Sequence, residues 1–325
     1  MAVEYWEPEY LQDLEHKWHA LLQLDLAESS HRSYGWHQQQ YKVMCQRLQR
    51  PVWPDPHSLA QFMIGRAQHG YARSTVEQGA YAVARWGTDV GVDGLIGHRE
   101  VQRAMAVVAK VATPAGAGQK LPLDRRDLRK VVYDLGALGD NSFLGRRDTA
   151  LLIVGWAGMF RSSELVGIRW DHVSFTSKGG VLIYVPSSKT DQAGEGAWVF
   201  LAPCTDEQQL CPVQALLRLR AMYEEAGVSV TDGAVFRPHL KAPRALSNTT
   251  VAVRVRKGLE AVGVADWQLY AAHSLRRGGA TWAVRQGIPV RQVMVMGRWK
   301  SDVIREYLYC SVDAVMQASK QMQRG

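Results

Sequence analysis

Residues 150–170 read ALLIVGWAGMFRSSELVGIRW, and the first eleven of them carry no charge. An apolar run that is hydrophobic on every side of a helix predicts a fully buried helix, here over 147–159. At its end stand Arg161 and, three residues on, Glu164, followed by Leu165, Ile168 and Trp170. An Arg at the end of a buried helix needs a partner. An i,i+3 ion pair with Glu164 is the commoner, purely structural reading. The functional reading is a guanidinium held rigid by Glu164, ready to fork onto a phosphate.

Outward from this core, Asp124 is read as the cap of a helix through Leu128, Val131 and Val132. Residues 181–185 and 197–201, joined by a polar, Gly-containing turn, read as two strands of an antiparallel hairpin. Helices are predicted at 213–226, 248–261, 280–286, 290–296 and 303–308, with a short tail at 312–323. Towards the N-terminus, the stretch TPAGAGQK at 113–120 breaks helical periodicity and reads as an interdomain linker. Before it, helical spacing recurs at 10–26, 30–49, 58–69, from Ser74 to Trp86, and at 98–110, with the aromatic residues assigned to the core. The fold class is therefore mainly α. A helical domain over 1–112 precedes a mixed α+β domain over 121–325, in which helices surround a small antiparallel sheet.

The chain has 325 residues, 39 Lys+Arg against 31 Asp+Glu, a net charge of +8 and a pI near 9.3. Its 46% hydrophobic and 22% charged residues exclude a disordered chain. Four cysteines without a Cys-x-x-Cys pair exclude a disulfide scaffold and a zinc ribbon, and fit reduced thiols inside a cell. No apolar run is long enough to cross a bilayer, and the acidic, aromatic N-terminus reads as neither signal nor transit peptide. From Leu269 onward, nine basic residues face three acidic ones, so six of the eight net positive charges lie there. They alternate with Val, Met, Trp and Tyr, which puts them on a folded surface suited to a polyanion.

Four further features join the Arg161–Glu164 pair. Lys189 sits at the hairpin tip, where lysines are usually solvated and idle. His273-Ser-Leu-Arg276-Arg277-Gly278-Gly279 opens a helix from a loop. About one His-x-x-Arg/Lys arises by chance in a chain of this composition, so its setting counts for more than its presence. Gly278 and Gly279 permit close approach of a backbone or a ligand. Gly297-Arg298-Trp299-Lys300 carries an indole between two cations, read as near the surface, whose N–H is a donor for a phosphate oxygen. Tyr307 and Tyr309 are amphipathic packing in the ordinary reading, and a phenolic nucleophile when set beside arginines and a histidine.

In this order the five features resemble the catalytic series of the tyrosine recombinases, the family of phage integrases and transposon recombinases. The helical first half is similar to that family's core-binding domain, with Ser29-Ser30-His31-Arg32-Ser33-Tyr34 and Tyr71-Ala72-Arg73-Ser74-Thr75-Val76 as its motifs. The wording of His273–Thr281 and Gly297-Arg298-Trp299 looks most like recombinases of DIRS-type retrotransposons or Cryptons.

The resemblance implies two domains that clamp duplex DNA. It also implies strand cleavage through a 3′-phosphotyrosyl intermediate, with no cofactor and no metal. Tyr307 would be the nucleophile and Tyr309 the alternative. Arg161 and Arg276 would clamp the phosphate, Glu164 would orient Arg161 or bridge to the neighbouring site elements, Lys189 would protonate the leaving oxygen, and His273 would help move the tyrosine proton. In the family a His or Trp usually follows the Gly directly, nine residues before the nucleophile. Arg298 fills that slot here and is the alternative to Trp299 as the phosphate donor. Arg32, Arg73, Arg85, Arg277 and Lys300 are the expected DNA contacts. The partners implied are double-stranded DNA and further copies of the chain, as a tetramer on two duplexes, with no membrane. The nucleus is the expected location for a eukaryotic mobile element, and otherwise the cytoplasm. A DNA-binding protein of the same fold that has lost catalysis is the rival expectation.

Overall fold

The structure, a computed structural model, describes residues 10, 12–13, 17, 28–112, 120–137, 142–187, 195–299 and 304. The chain divides into two compact units, Met1–Gly118 and Gln119–Gly325. The expected helix 10–26, the linker, Lys189, Lys300, Tyr307, Tyr309 and the tail 312–323 fall wholly or almost wholly outside the described residues.

In the first unit, α1 spans Glu28–Arg47, α2 Pro56–Gln68, α3 Arg73–Asp89 and α4 Arg99–Val111. Helix α2 begins two residues before the expected Ser58. The Asp55 side chain accepts the Ser58 N–H at 2.8 Å, and Pro56 takes the first turn, where no N–H is needed. Likewise α3 starts at Arg73 without a side-chain cap, so Ser74 is not its cap. In α4, Val101, Ala104 and Val108 recur on one face and are buried. They join Tyr41, Leu59, Phe62, Met63, Val76 and Val83 in one core.

Tyr41 stands edge-on to Phe62 and Trp86, as expected of core aromatics. Trp36, Trp53 and Tyr81 depart from that expectation and are exposed. In α3 the core face beside Tyr81 is filled by its smaller neighbours Ala80 and Ala82, both fully buried.

In the second unit, α5 spans Arg125–Ala137, α6 Phe143–Ala157 and α7 Ser162–Val166. Strands β1 (Val173–Phe175), β2 (Val181–Val185) and β3 (Ala197–Leu201) form an antiparallel sheet in that order. Helices α8 (Pro212–Glu225), α9 (Asn248–Ala261), α10 (His273–Arg285) and α11 (Val290–Gly297) complete it. Ile183 pairs with Val173 on one side and Val199 on the other. Strand β1 was not anticipated, because three residues are too short to display a period of two.

Helix α6 is the axis of this core. Leu151, Leu152, Ile153 and Val154 are all at most 2% exposed, each contributing about 1.5–3 kcal/mol by its burial. Ser142 caps α6 through the Gly145 N–H. Its start therefore lies four residues before the expected one, and it includes the buried ion pair Arg147–Asp148 at 2.6 Å.

Helix α10 begins at His273 itself, seven residues earlier than the expected start at 280. The Gly278–Gly279 pair lowers helix propensity, which is why the motif reads as a loop. Tertiary packing overrides that propensity. A Cβ on Gly278 would lie 2.0 Å from the Leu123 carbonyl oxygen, and one on Gly279 2.2 Å from that of Trp156. The glycines thus let α10 press against two other backbones. Among the described residues no helix is long and apolar enough to cross a membrane.

Candidate active site

The turn between α6 and α7 collects the charged residues. Met159 holds φ +49° there, and Phe160 is buried behind it. Arg161 occupies the N-cap of α7. Its backbone N–H donates to Glu164 Oε2 at 3.0 Å and its Nη1 donates to Glu164 Oε1 at 2.5 Å. The structural ion pair read from the sequence is therefore present. Arg161 nevertheless keeps 13% of its side chain exposed, against 1% for Glu164.

Arg276 arrives from α10, 117 residues after Met159 in sequence. Its Nη1 donates to the Met159 carbonyl and its Nη2 to the Gly297 carbonyl at 2.7 Å. Its guanidinium lies 3.9 Å from the centre of the Trp299 ring. Arg276 is fully buried, so a phosphate reaches it only if part of this cover moves.

His273, one helical turn before Arg276, is exposed. Partial desolvation of its ring, followed by the positive field of Arg276, Arg161 and Arg277, pushes its pKa below the ordinary imidazole value, and Glu164 opposes this. The ring is thereby biased to the neutral form, the one able to accept a proton.

Arg298 terminates α11 with φ +59°, a left-handed conformation usually given to Gly. The chain then folds back, and the Trp299 backbone N–H donates to the Met294 carbonyl at 2.9 Å. Arg298 Nη2 donates to Glu164 Oε2 at 2.8 Å. Burial raises the Glu164 pKa, but the charge of Arg298 and the hydrogen bonds from Arg161 and Arg298 outweigh it and hold the carboxyl below its ordinary range.

Two sequence expectations are corrected here. Trp299 is buried at 8% exposure, not near the surface, and packs with Met159, Ala280, Ala283, Val293 and Ile304. The left-handed turn at Arg298 tucks the indole inward, where its face receives the Arg276 guanidinium. Arg277, expected on the surface, is also buried, at 7% exposure.

In the first unit, Arg32 and Arg73 are exposed and Arg85 is half-buried. Arg73 pairs with Glu77 at 2.7 Å and Arg85 with Asp89 at 3.1 Å, both one helical turn on. The structure thus brings together Arg161, Glu164, His273, Arg276, Arg298 and Trp299. The candidates Lys189, Lys300, Tyr307 and Tyr309 lie outside the described residues. Sequence reading missed that backbone carbonyls of Gly158, Met159, Met296 and Gly297 hold two of the arginines. The one available signal was a bulky cation directly after Gly297 at a helix end.

No family profile matches the chain. It is 35% identical over 187 residues to an integrase/recombinase xerD homolog from Selenomonas ruminantium, covering 56% of this chain and 52% of that protein. The chain thus spans about half the length of the curated relative it matches. Among solved structures it is similar to a lambda integrase dimer bound to a COC′ core site. The TM-score is 0.57 at 15% identity, over 92% of this chain and 97% of that one. It is also similar to the XerH site-specific recombinase bound to a difH substrate. There the TM-score is 0.55 at 15% identity, over 82% of this chain and 70% of that one. By its helical architecture, its three-stranded sheet and these likenesses, the chain has the fold of the tyrosine recombinases and integrases.

Proposed function

We propose that this protein is a site-specific DNA recombinase that cuts and rejoins duplex DNA through a 3′-phosphotyrosyl intermediate. The observation that carries the reading is the convergence of Arg161, Glu164 and Arg276 on the one turn after α6, from segments more than a hundred residues apart, with His273 one helical turn before Arg276. Two guanidinium groups and a neutral imidazole form a set suited to a phosphodiester whose charge grows in the transition state.

In the proposed step the Tyr307 phenolic oxygen bonds to phosphorus and the bond from phosphorus to the 5′-oxygen breaks. His273 accepts the phenolic proton, and Lys189 supplies a proton to the leaving oxygen. Arg161 and Arg276 compensate the non-bridging oxygens. Attack by a 5′-hydroxyl of a second duplex reverses the chemistry and completes the exchange. Mobilisation of a genetic element, of DIRS or Crypton type by the wording of its motifs, is the finer form of the proposal. Its compartment, nucleus or cytoplasm, then follows the host.

A tetramer on two duplexes belongs to the same reading. Trp198, Phe200, Val295 and Met296 are exposed around an apolar cleft of about 580 Å³, which supports self-association. Light scattering with and without DNA tests that assembly.

The complete burial of Arg276 favours a second reading, DNA binding without cleavage. Incubation with a pool of nicked duplexes of randomised sequence separates the two. A covalent adduct that survives denaturation and disappears in Tyr307→Phe supports the recombinase. Loss in Tyr309→Phe alone moves the nucleophile to Tyr309. Salt-sensitive binding with no adduct across the pool supports the binding-only protein.

A further inference from the structure

Arg298 is the departure from the resemblance, since it takes the place after the glycine where a substrate-facing His or Trp is usual. A guanidinium has five N–H donors, two on each terminal nitrogen and one on Nε. In Arg298, Nη1 donates to the carbonyls of Gly158 at 3.2 Å and Met296 at 3.1 Å. Nη2 donates to the Met159 carbonyl at 3.2 Å and to Glu164 Oε2 at 2.8 Å. The remaining Nε is buried, and the group lies 4.9 Å from the centre of the Phe160 ring. The side chain is 8% exposed. Every terminal donor is therefore spent on protein, and none is directed outward.

The acceptors are the same groups that hold the proposed phosphate clamps. Met159 O also receives Arg276, and Glu164 also receives Arg161. The end of α11, the turn after α6 and the start of α7 are thus tied together by one side chain in a left-handed backbone position.

We infer that Arg298 is a positioning residue. It acts through Glu164 and the 158–159 carbonyls to set Arg161 and Arg276 and makes no contact with the scissile phosphate. The inference rests on the recombinase reading for what the two arginines do, and on this geometry alone for what Arg298 does. A Lys at 298 keeps the charge but offers three donors from a single nitrogen, so it cannot span four acceptors on three elements. Small misplacement of reacting groups is enough to cost about 100-fold in rate.

The test measures adduct formation in single turnover, and equilibrium binding, on the randomised nicked pool with Arg298→Lys, Arg298→Gln, Glu164→Gln and the Arg298→Gln/Glu164→Gln double variant. The expected result is a rate lowered about 10–100-fold in each single variant, with the affinity and its salt slope unchanged. The double variant should be no slower than the worse single one, because both act through one linkage. Loss of affinity with a salt slope lower by about one would identify a phosphate contact and overturn the inference.

Labelling of the full chain with an arginine-selective dicarbonyl, read by mass spectrometry, reports on Arg298 whether or not an adduct forms. Arg298 should resist modification while exposed Arg32 and Arg73 react. Equal reactivity would overturn the inference even if the variants prove too unstable to assay. A wild-type protein that forms no adduct yet protects Arg298 refutes the recombinase reading and leaves the positioning geometry standing.

Discussion

The guanidinium of Arg276 stacks 3.9 Å from the centre of the Trp299 ring, and both residues are buried. The indole supplies an aromatic face to a cation removed from water, which offsets part of its desolvation. Trp299→Ala should therefore destabilise the protein by about 3–5 kcal/mol. Trp299→Phe, which keeps a ring face, should cost less. Denaturant unfolding of both variants measures this, and equal losses would show that the ring face does not matter.

The close approach of α10 to its neighbours predicts opposite signs for two glycine substitutions. Gly279→Ala would set a Cβ 2.2 Å from a backbone oxygen that has little room to retreat, with an expected loss of about 1–3 kcal/mol. Gly65, inside α2, has nothing within 4 Å of its added Cβ, so Gly65→Ala should stabilise by about 0.5–1 kcal/mol. Thermal melts of the pair check both directions.

Asp148 accepts from Arg147 at 2.6 Å, and its other oxygen lies 3.4 Å from Arg254. Arg147 is 1% exposed and also donates to the carbonyls of Arg237 and Pro238. Asp148→Ala leaves that guanidinium buried without its anion, at an expected cost of about 3–5 kcal/mol. A loss below about 1 kcal/mol in chemical denaturation would mean that the carbonyls suffice.

In the first unit, His37 is 2% exposed and its Nδ1 is 2.7 Å from Arg66 Nη1. Burial, then the Arg66 charge, lowers its pKa below the ordinary 6.5, while a hydrogen bond with Gln78 opposes this. As the pH falls through about 6.5, the unfolded chain takes up this proton first. Stability should therefore decline below about pH 6.5 and stop declining once the pH has passed the folded-state pKa. A His37→Gln variant should show a flatter acid limb in unfolding measured across that range. An unchanged limb would assign the acid sensitivity elsewhere.

Local chemistry made most of the scaffold legible. Two short apolar runs flanking a polar, Gly-containing turn located β2 and β3 to the residue, and the apolar run at 150–160 identified the buried helix of the second unit. Caps were harder to read. Asp55 competes with Ser58 as a capping oxygen, and only the path of the backbone selects between them.

The charged site was legible as a set of residues but not as an arrangement. Order along the chain singled out Arg161, Glu164, His273 and Arg276. It placed Trp299 near the surface and offered Arg298 only as an alternative phosphate donor.

By itself the sequence determined which segments bury apolar faces, roughly where most helices and two of the three described strands run, and that cations accumulate after residue 269. Those properties depend on neighbours one to four residues apart. Only the tertiary structure decided that α10 runs through two glycines, that Trp299 turns inward beneath Arg276, and that Arg298 closes on Glu164 across 134 residues. The physical reason is that a buried guanidinium takes whatever acceptors the packed backbone presents. Carbonyls such as those of Gly158, Met159 and Gly297 carry no side-chain signature by which a sequence could announce them.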